Sequence, residues 1–283
     1  CFARWVQETI GKNREEIISI DGKTVRGSQS GDQNAIHMVS AWANKAHAVF
    51  GQLATQEKSN EITAVPILLD LLDIRDTIIT ADAMSCQKEI VKKIVGKEAD
   101  YVLGLKDNQP NMRKDAEAYY RSAFETPQFY PDMQRTERIE KGHGRIEQRI
   151  YYLMTDRDLL DLYPEWTKLN GIGMMQSKIV TEARTTEETH YYITSLTEID
   201  DFARAARSHW GIENSLHYCL DVTFQEDHSR IRKDHSAENF AVIRHIALNA
   251  LKRMDDKLSV ARRRRRCSYD DAYLEKILSL IHA

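Results

Sequence analysis

The chain is short of several things, and each shortage removes a class of function. No apolar run approaches the roughly 18 residues that a membrane-spanning helix requires, and no secretory signal is visible. Only four cysteines, Cys1, Cys86, Cys219 and Cys267, are spread over 283 residues, with no C-x-x-C spacing. They read as free thiols in a reducing, cytoplasmic compartment, which argues against a disulfide scaffold and a zinc knuckle. Excess positive charge is also missing. The net charge is −3, a mild argument against nucleic acid as a partner. There is no internal repeat and no low-complexity linker. The chain opens at Cys1 rather than Met, and residues 1–14 read as the remnant of an N-terminal segment.

What is present begins with two acids in matching settings. Glu15 to Lys23 contains the near-continuous β-branched run Ile17, Ile18 and Ile20, followed at once by Asp21 and Gly22. Such a run suits a strand covered on both faces, and Gly22 offers freedom to turn. Thr77 to Ala83 repeats the pattern, with Asp82 where the apolar run stops. Two strands ending in Asp bring carboxylates to one sheet edge, where open α/β sheets place ligands. Adjacent carboxylates repel unless a cation joins them, and hard oxygen donors suit Mg²⁺ or Mn²⁺. Asp21 and Asp82 are therefore candidates for half of a metal site; the plain alternative is a pair of turn and cap residues.

The spacing of the remaining elements sets the fold class. Strands are expected at about 15–21, 35–42 and 48–54, the last two joined through Asn44 and Lys45 as a meander. A helix follows the Ser59–Glu61 cap, with Ile62, Val65, Leu68, Leu69 and Leu72 at helical spacing. A strand at 77–82, a helix at 87–95 and a strand at 100–105 complete a βββαβαβ order. That order implies an α/β mixed sheet flanked by helices. Residues 111–125 read as a charged helix. Residues 145–153, 173–180 and 190–195 read as strands of a β-rich insertion over 126–199. The first part, 15–125, and the C-terminal helices, 200–283, then form one catalytic domain. Asp200 is the expected N-cap of a helix running to about Leu220. A last long helix over 236–254 carries Phe240, Ile243, Ile246, Ala247 and Leu251 on one face, and Arg262 to Arg266 form a basic block.

The 200–220 helix supplies the third candidate acid. His209, Glu213 and His217 are spaced one turn apart and share a face. If that face looks at the strand ends, Glu213 completes an Asp-Asp-Glu set of the kind that holds two cations for phosphodiester chemistry. Asp221, Glu226 and Asp227 compete for the role, or else lie in a solvated loop or form salt bridges to Arg230 and Arg232. A helical zinc site of His209, Glu213 and His217 is a weaker option, because it lacks a further ligand and a base motif. Trp210 reads as packing more than as a stacking platform.

At this point the sequence resembles the DDE-type insertion-sequence transposases, most closely the H-repeat-associated family. The resemblance rests on Ile20–Ser28, Ile79–Ala83, Leu105–Gln109, Lys141–Glu147, His209–Asn214, and Leu220–Phe224 with Glu226 and Asp227. The blocks span nearly the whole chain; each alone is weak, and jointly they are specific. The resemblance implies a ribonuclease H-like fold with a β-rich insertion. It also implies Mg²⁺-dependent cleavage and strand transfer of double-stranded DNA, a nucleoid-associated location, and a homodimer on DNA. Asp21, Asp82 and Glu213 match the family's catalytic acids. Two departures stand out. Related groups carry Arg four residues before the Glu, where this chain has His209, so that Arg207 is left to supply the charge. They also carry a DNA-binding segment ahead of the first Asp, where this chain has almost nothing.

Candidate DNA contacts follow from position. Lys23 and Arg26 trail the first Asp, and Lys106, Asn108 and Gln109 close the fifth strand. His143, Arg145, Glu147 and Arg149 alternate along one strand face, which serves either as a DNA-backbone surface or as a solvated face. Arg207, His209 and His217 lie around Glu213, and Arg262, Arg263 and Arg264 belong to the basic block, read as phosphate contacts. The rivals to a transposase are a degenerate, DNA-binding descendant that no longer cuts, and a structure-specific nuclease without strand transfer.

Overall fold

The computed structural model describes residues 16–31, 34–55, 60–142 and 144–282, together with Val6. The expectations for residues 1–14, for Ser59 and for His143 fall outside the described residues, apart from Val6, which is helical and buried. The chain divides into two compact units, residues 1–77 with 208–283, and residues 78–207. Among the described residues no helix is long and apolar enough to cross a membrane.

The first unit is built on the expected meander: β1 (Ile17–Thr24), β2 (His37–Ala43) and β3 (Ala48–Thr55), paired antiparallel. All seven residues of β2 are buried, as befits a central strand of β-branched, aromatic and small residues. The turn after β2 is held by buried Glu16, whose carboxylate accepts the amide N–H groups of Lys45 (2.6 Å) and Ala46 (3.0 Å). Helix α1 (Glu61–Leu71) covers β3, where Gly51 leaves room for Leu68 and Leu72.

The second unit carries β4 (Ile78–Ala81), α2 (Lys88–Gly96), β5 (Asp100–Leu105) and α3 (Pro110–Glu125). Four long strands follow: β6 (Gln134–Gly142), β7 (Arg145–Met154), then, after the short α4 (Arg157–Leu160), β8 (Gly171–Thr181) and β9 (Thr185–Thr194). Its strands run β4-β5-β9-β8-β7-β6, with β4 and β5 parallel and every other pair antiparallel. β7, β8 and β9 match the strand-rich reading, whereas β6 escaped it. Its sequence QRTERIEKG is charged and largely exposed, so it offers no buried apolar run to detect. The element order and the mixed sheet flanked by helices make this an α/β fold, as expected.

Three helical expectations change. Helix α5 (Ile199–Ile212) starts before Asp200, which lies in its first turn instead of capping it. The helix does not stay α-helical to Leu220: two π-helical turns, Glu213–His217 and Cys219–Thr223, replace its last part, with the Tyr218 N–H bonding the Glu213 carbonyl five residues back. The stripe of Ile212, Leu216 and Leu220 packs with Trp42, Val49 and Leu248 in the first unit's core. In α6 (Ser236–Lys252) the buried face carries Ala237, Ala241, His245, Leu248 and Leu251, while Phe240 and Ile243 are exposed. Asn249 fixes that face by bonding both the N–H (2.8 Å) and the C=O (2.9 Å) of Val49. Helices α7 (Val260–Arg266) and α8 (Asp271–His282) close the chain.

Candidate active site

Asp21 sits within β1, opposite Ser40 of β2, and not at a turn. The strand continues through Gly22 and Lys23 to Thr24. Gly22 is therefore needed for space, not for a turn. A Cβ there would collide with His37 Nε2 and lie 2.7 Å from Glu61 Oε2. His37 and Glu61 form a buried pair at 3.1 Å, and His37 Nδ1 lies 3.1 Å from Thr24 Oγ1. This triad is invisible in the sequence because its members are apart in the chain and separately unremarkable. The Asp21 carboxylate is one-fifth exposed; one oxygen accepts the Gly22 N–H at 2.9 Å, and the other lies 3.6 Å from His217 Nδ1.

Two residues beyond Asp21, the Lys23 ammonium is held by Asp221 (2.8 Å), Asp227 (3.1 Å) and Glu226 (3.3 Å). Burial opposes its charge, but the hydrogen bonds to Asp221 and Asp227 and the field of Glu226 outweigh it, so its pKa rises above the usual lysine value. Glu226 is buried, which pushes its carboxyl upward against the pull of Lys23 and Arg244, the latter at 3.3 Å. Arg26 adds its backbone N–H (3.2 Å) and a guanidinium 3.7 Å from Asp227. The acids following Glu213 are thus matched by Lys23, Arg26 and Arg244. Arg232, an expected partner, bonds the Gly27 carbonyl at 2.9 Å instead. The signal for this cluster was present as Lys23 and the Leu220–Asp227 block, but nothing in the sequence joined them.

Asp82 belongs to the second unit and follows β4 at the position expected. It caps a short 3₁₀ turn, Ala83–Ser85, by accepting the N–H groups of Met84 (3.0 Å) and Ser85 (3.4 Å). The loop after β5 braces this turn. Asn108 donates to the carbonyls of Ala83 and Cys86, and Gln109 donates to Cys86 at 3.1 Å. Gly104 permits the approach, since a Cβ there would lie 3.1 Å from the Ala83 nitrogen. The Asn108 amide read as a phosphate contact is therefore committed to the Asp82 turn, while Lys106 is exposed.

Glu213 opens the first π turn and is exposed. The two histidines expected beside it are set inward. Burial lowers His209 to about 4; it lowers His217 to about 4 as well, with Lys23, His37 and His209 adding to the effect. His217 Nε2 is buried without a hydrogen-bond partner. Among the described residues, no three His, Cys, Asp or Glu side chains are grouped so as to hold a metal.

The remaining candidate contacts divide by exposure. On β7, Arg145 and Arg149 both pair with Glu147, and Arg149 also meets Glu140 at 2.9 Å. The alternating face is thus an internal ion-pair ladder. Arg207 joins it, 3.3 Å from Glu140, in place of serving Glu213. Arg263 is buried and structural, bonding Asp256 Oδ1 (2.7 Å) and the Leu251 carbonyl (2.6 Å). Arg26, Arg262 and Arg264 are exposed. Arg264 and Arg265 line a surface pocket of about 430 Å³ with Thr223, Gln225 and Ser268.

These elements define an α/β protein two of whose candidate acids sit on or just after a strand. Residues 12–250 match the family model described as the transposase DDE domain, and the chain belongs to that family of DNA transposases. It is 39% identical to "Putative transposase YncI" of Escherichia coli O157:H7, over 98% of this chain and 73% of that protein. It is 38% identical to "H repeat-associated putative transposase YhhI" of Escherichia coli strain K12, over 99% of this chain and 75% of that protein. The H-repeat-associated resemblance read from the sequence is borne out. Among solved structures the chain is similar to a piggyBac transposase synaptic complex with hairpin DNA. The TM-score is 0.48 and the identity 10%, over 98% of this chain and 55% of that one.

Proposed function

We propose that this transposase cuts and joins double-stranded DNA with Asp21, Asp82 and Glu213 as its acids. The observation that carries this reading is the neutralisation of the competitors. Asp221, Glu226 and Asp227 are taken up by Lys23, Arg26 and Arg244, which leaves Glu213 as the exposed acid of that segment. In donor type the three carboxylates fit a hard divalent cation, Mg²⁺ or Mn²⁺. Asp21, Asp82 and Glu213 would hold the ions. When bound, such ions activate a water or a 3′-hydroxyl and stabilise the leaving oxygen.

The chain's own residues hold and orient. The backbone amides at Gly22, Met84 and Ser85 each occupy carboxylate lone pairs of Asp21 or Asp82, fixing how those groups point. Among the candidate contacts, the exposed Lys106, Arg262 and Arg264 are available to DNA phosphates, which position a duplex without reading its sequence. On the same reading, residues 126–199 are an insertion into a catalytic domain made of 15–125 and 200–283.

A second reading, a descendant that binds DNA without cutting it, draws on one observation: no three acids are grouped for a metal among the described residues. Plasmid nicking in Mn²⁺ separates the two. The first reading expects nicking by the wild type and its loss in Asp82→Asn, with Mn²⁺ binding followed by calorimetry. Wild-type protein that shifts DNA on a gel yet leaves it intact establishes the second reading.

A further inference from the structure

Strand β6 is the last strand of its unit's sheet, so among the described residues one edge of Gln134–Gly142 has no strand beside it. Such edges are usually blunted by a bulge, a proline or repelling charge, because their free backbone groups pair with other strands. β6 has none of the first two. It runs in unbroken register with β7 from Gln134↔Leu153 to Gly142↔Arg145, and it contains no proline. Arg138 to Gly142 are all exposed, with Ile139 59% exposed in their middle.

Its charges are not repelling either. When two identical strands pair antiparallel about a two-fold axis, facing residues must lie on the same side of the pleat, so facing numbers sum to an even constant. Centred on Ile139, the pairing sets Ile139 against Ile139, Arg138 against Glu140, and Glu137 against Lys141, each ion pair occurring twice. Centred on Arg138, it sets Arg135 against Lys141; centred on Glu137, it sets Glu137 against itself. Only the first of these registers is complementary throughout. The side chains are also pre-oriented. On one face Arg138 bonds Asp200 (2.9 Å) and Glu140 bonds Arg149 (2.9 Å), while on the other Glu137 is held by Gln148 (2.7 Å) and Arg135 (2.6 Å).

We propose that the free edge of β6 is a dimerisation surface whose partner is a second copy of this chain, paired antiparallel about Ile139. The dimer needs neither metal nor DNA and stands apart from the acid chemistry. A strand pair buries less than the roughly 1,200 Å² of standard interfaces, so association is weak and, resting on exposed ion pairs, salt-sensitive.

Sedimentation velocity tests it between about 1 and 200 µM, the range where a small interface registers. The expected result is a mass rising from one chain toward two at low salt and falling back at high salt. Lys141→Glu places a second carboxylate against Glu137 and weakens association about tenfold or more. Adding Glu137→Lys to it restores the opposite charges and the dimer. Ile139→Lys, at an exposed position, breaks the dimer by a second route if the double exchange fails to fold. A wild type that stays a single chain throughout overturns the proposal, as does a dimer that both Lys141→Glu and Ile139→Lys leave unchanged.

Discussion

The surroundings of Asp21 and of Asp82 are built on different principles. Asp21 lies on a strand secured by charge from far along the chain: Lys23 meets Asp227 across 204 residues, in a cluster that includes the buried Glu226. Asp82 is secured locally, by two amides of its own turn and by the amide side chains of Asn108 and Gln109, about one helix and strand away. The difference teaches where each region is fragile. A buried ionic cluster fails steeply when one partner goes, because the remaining charges lose solvation and partner together. A hydrogen-bonded turn loses its supports one at a time.

The steepest break is Lys23→Met, which takes the ammonium from Asp221 and Asp227 and leaves buried Glu226 with Arg244 as its remaining cation. Unfolding in urea is expected to show a loss of about 3–5 kcal/mol. Acid sharpens the same contrast. Burial holds His209 near 4 and His245 near 3 in the folded first unit, whereas an unfolded histidine binds its proton near 6.5. Between those values the unfolded chain binds more protons. Stability is therefore full above about pH 6.5 and is lost as pH falls toward 4, at about 1–3 kcal/mol per histidine. Hydrogen exchange at pH 7 and pH 5 should show protection fading in β1–β3 and α6 before it fades in β4, β5 and β9. The smallest effect belongs to the Asp82 side: Asn108→Ala removes the donor to Ala83 and costs about 1 kcal/mol by the same urea measurement.

How much of this could be read beforehand follows the same divide. The meander, β4, β5 and Asp82 at the strand's end were legible because apolar runs and their endings are local signals. β6 was not, because an exposed edge carries no apolar period. The cage around Lys23 was not, because its acids looked like a solvated loop until the fold brought them back to β1. The role of Gly22 was misread for a related cause: the residue that requires it, His37, comes 15 positions later. The basic block was legible as charge but not as structure, since the helix that forms there turns Arg263 inward to Asp256 and leaves its neighbours outside.

The packing of His37 into the space above Gly22 has a consequence for how the first acid's neighbourhood can evolve. Position 22 cannot gain a side chain while an imidazole fills that volume, and position 37 cannot shrink without stranding the carboxylate of Glu61 in the interior. Positions 22, 37 and 61 are therefore bound to drift as a trio across relatives. A homologue with alanine at 22 should betray itself by a smaller residue at 37 and a neutral one at 61.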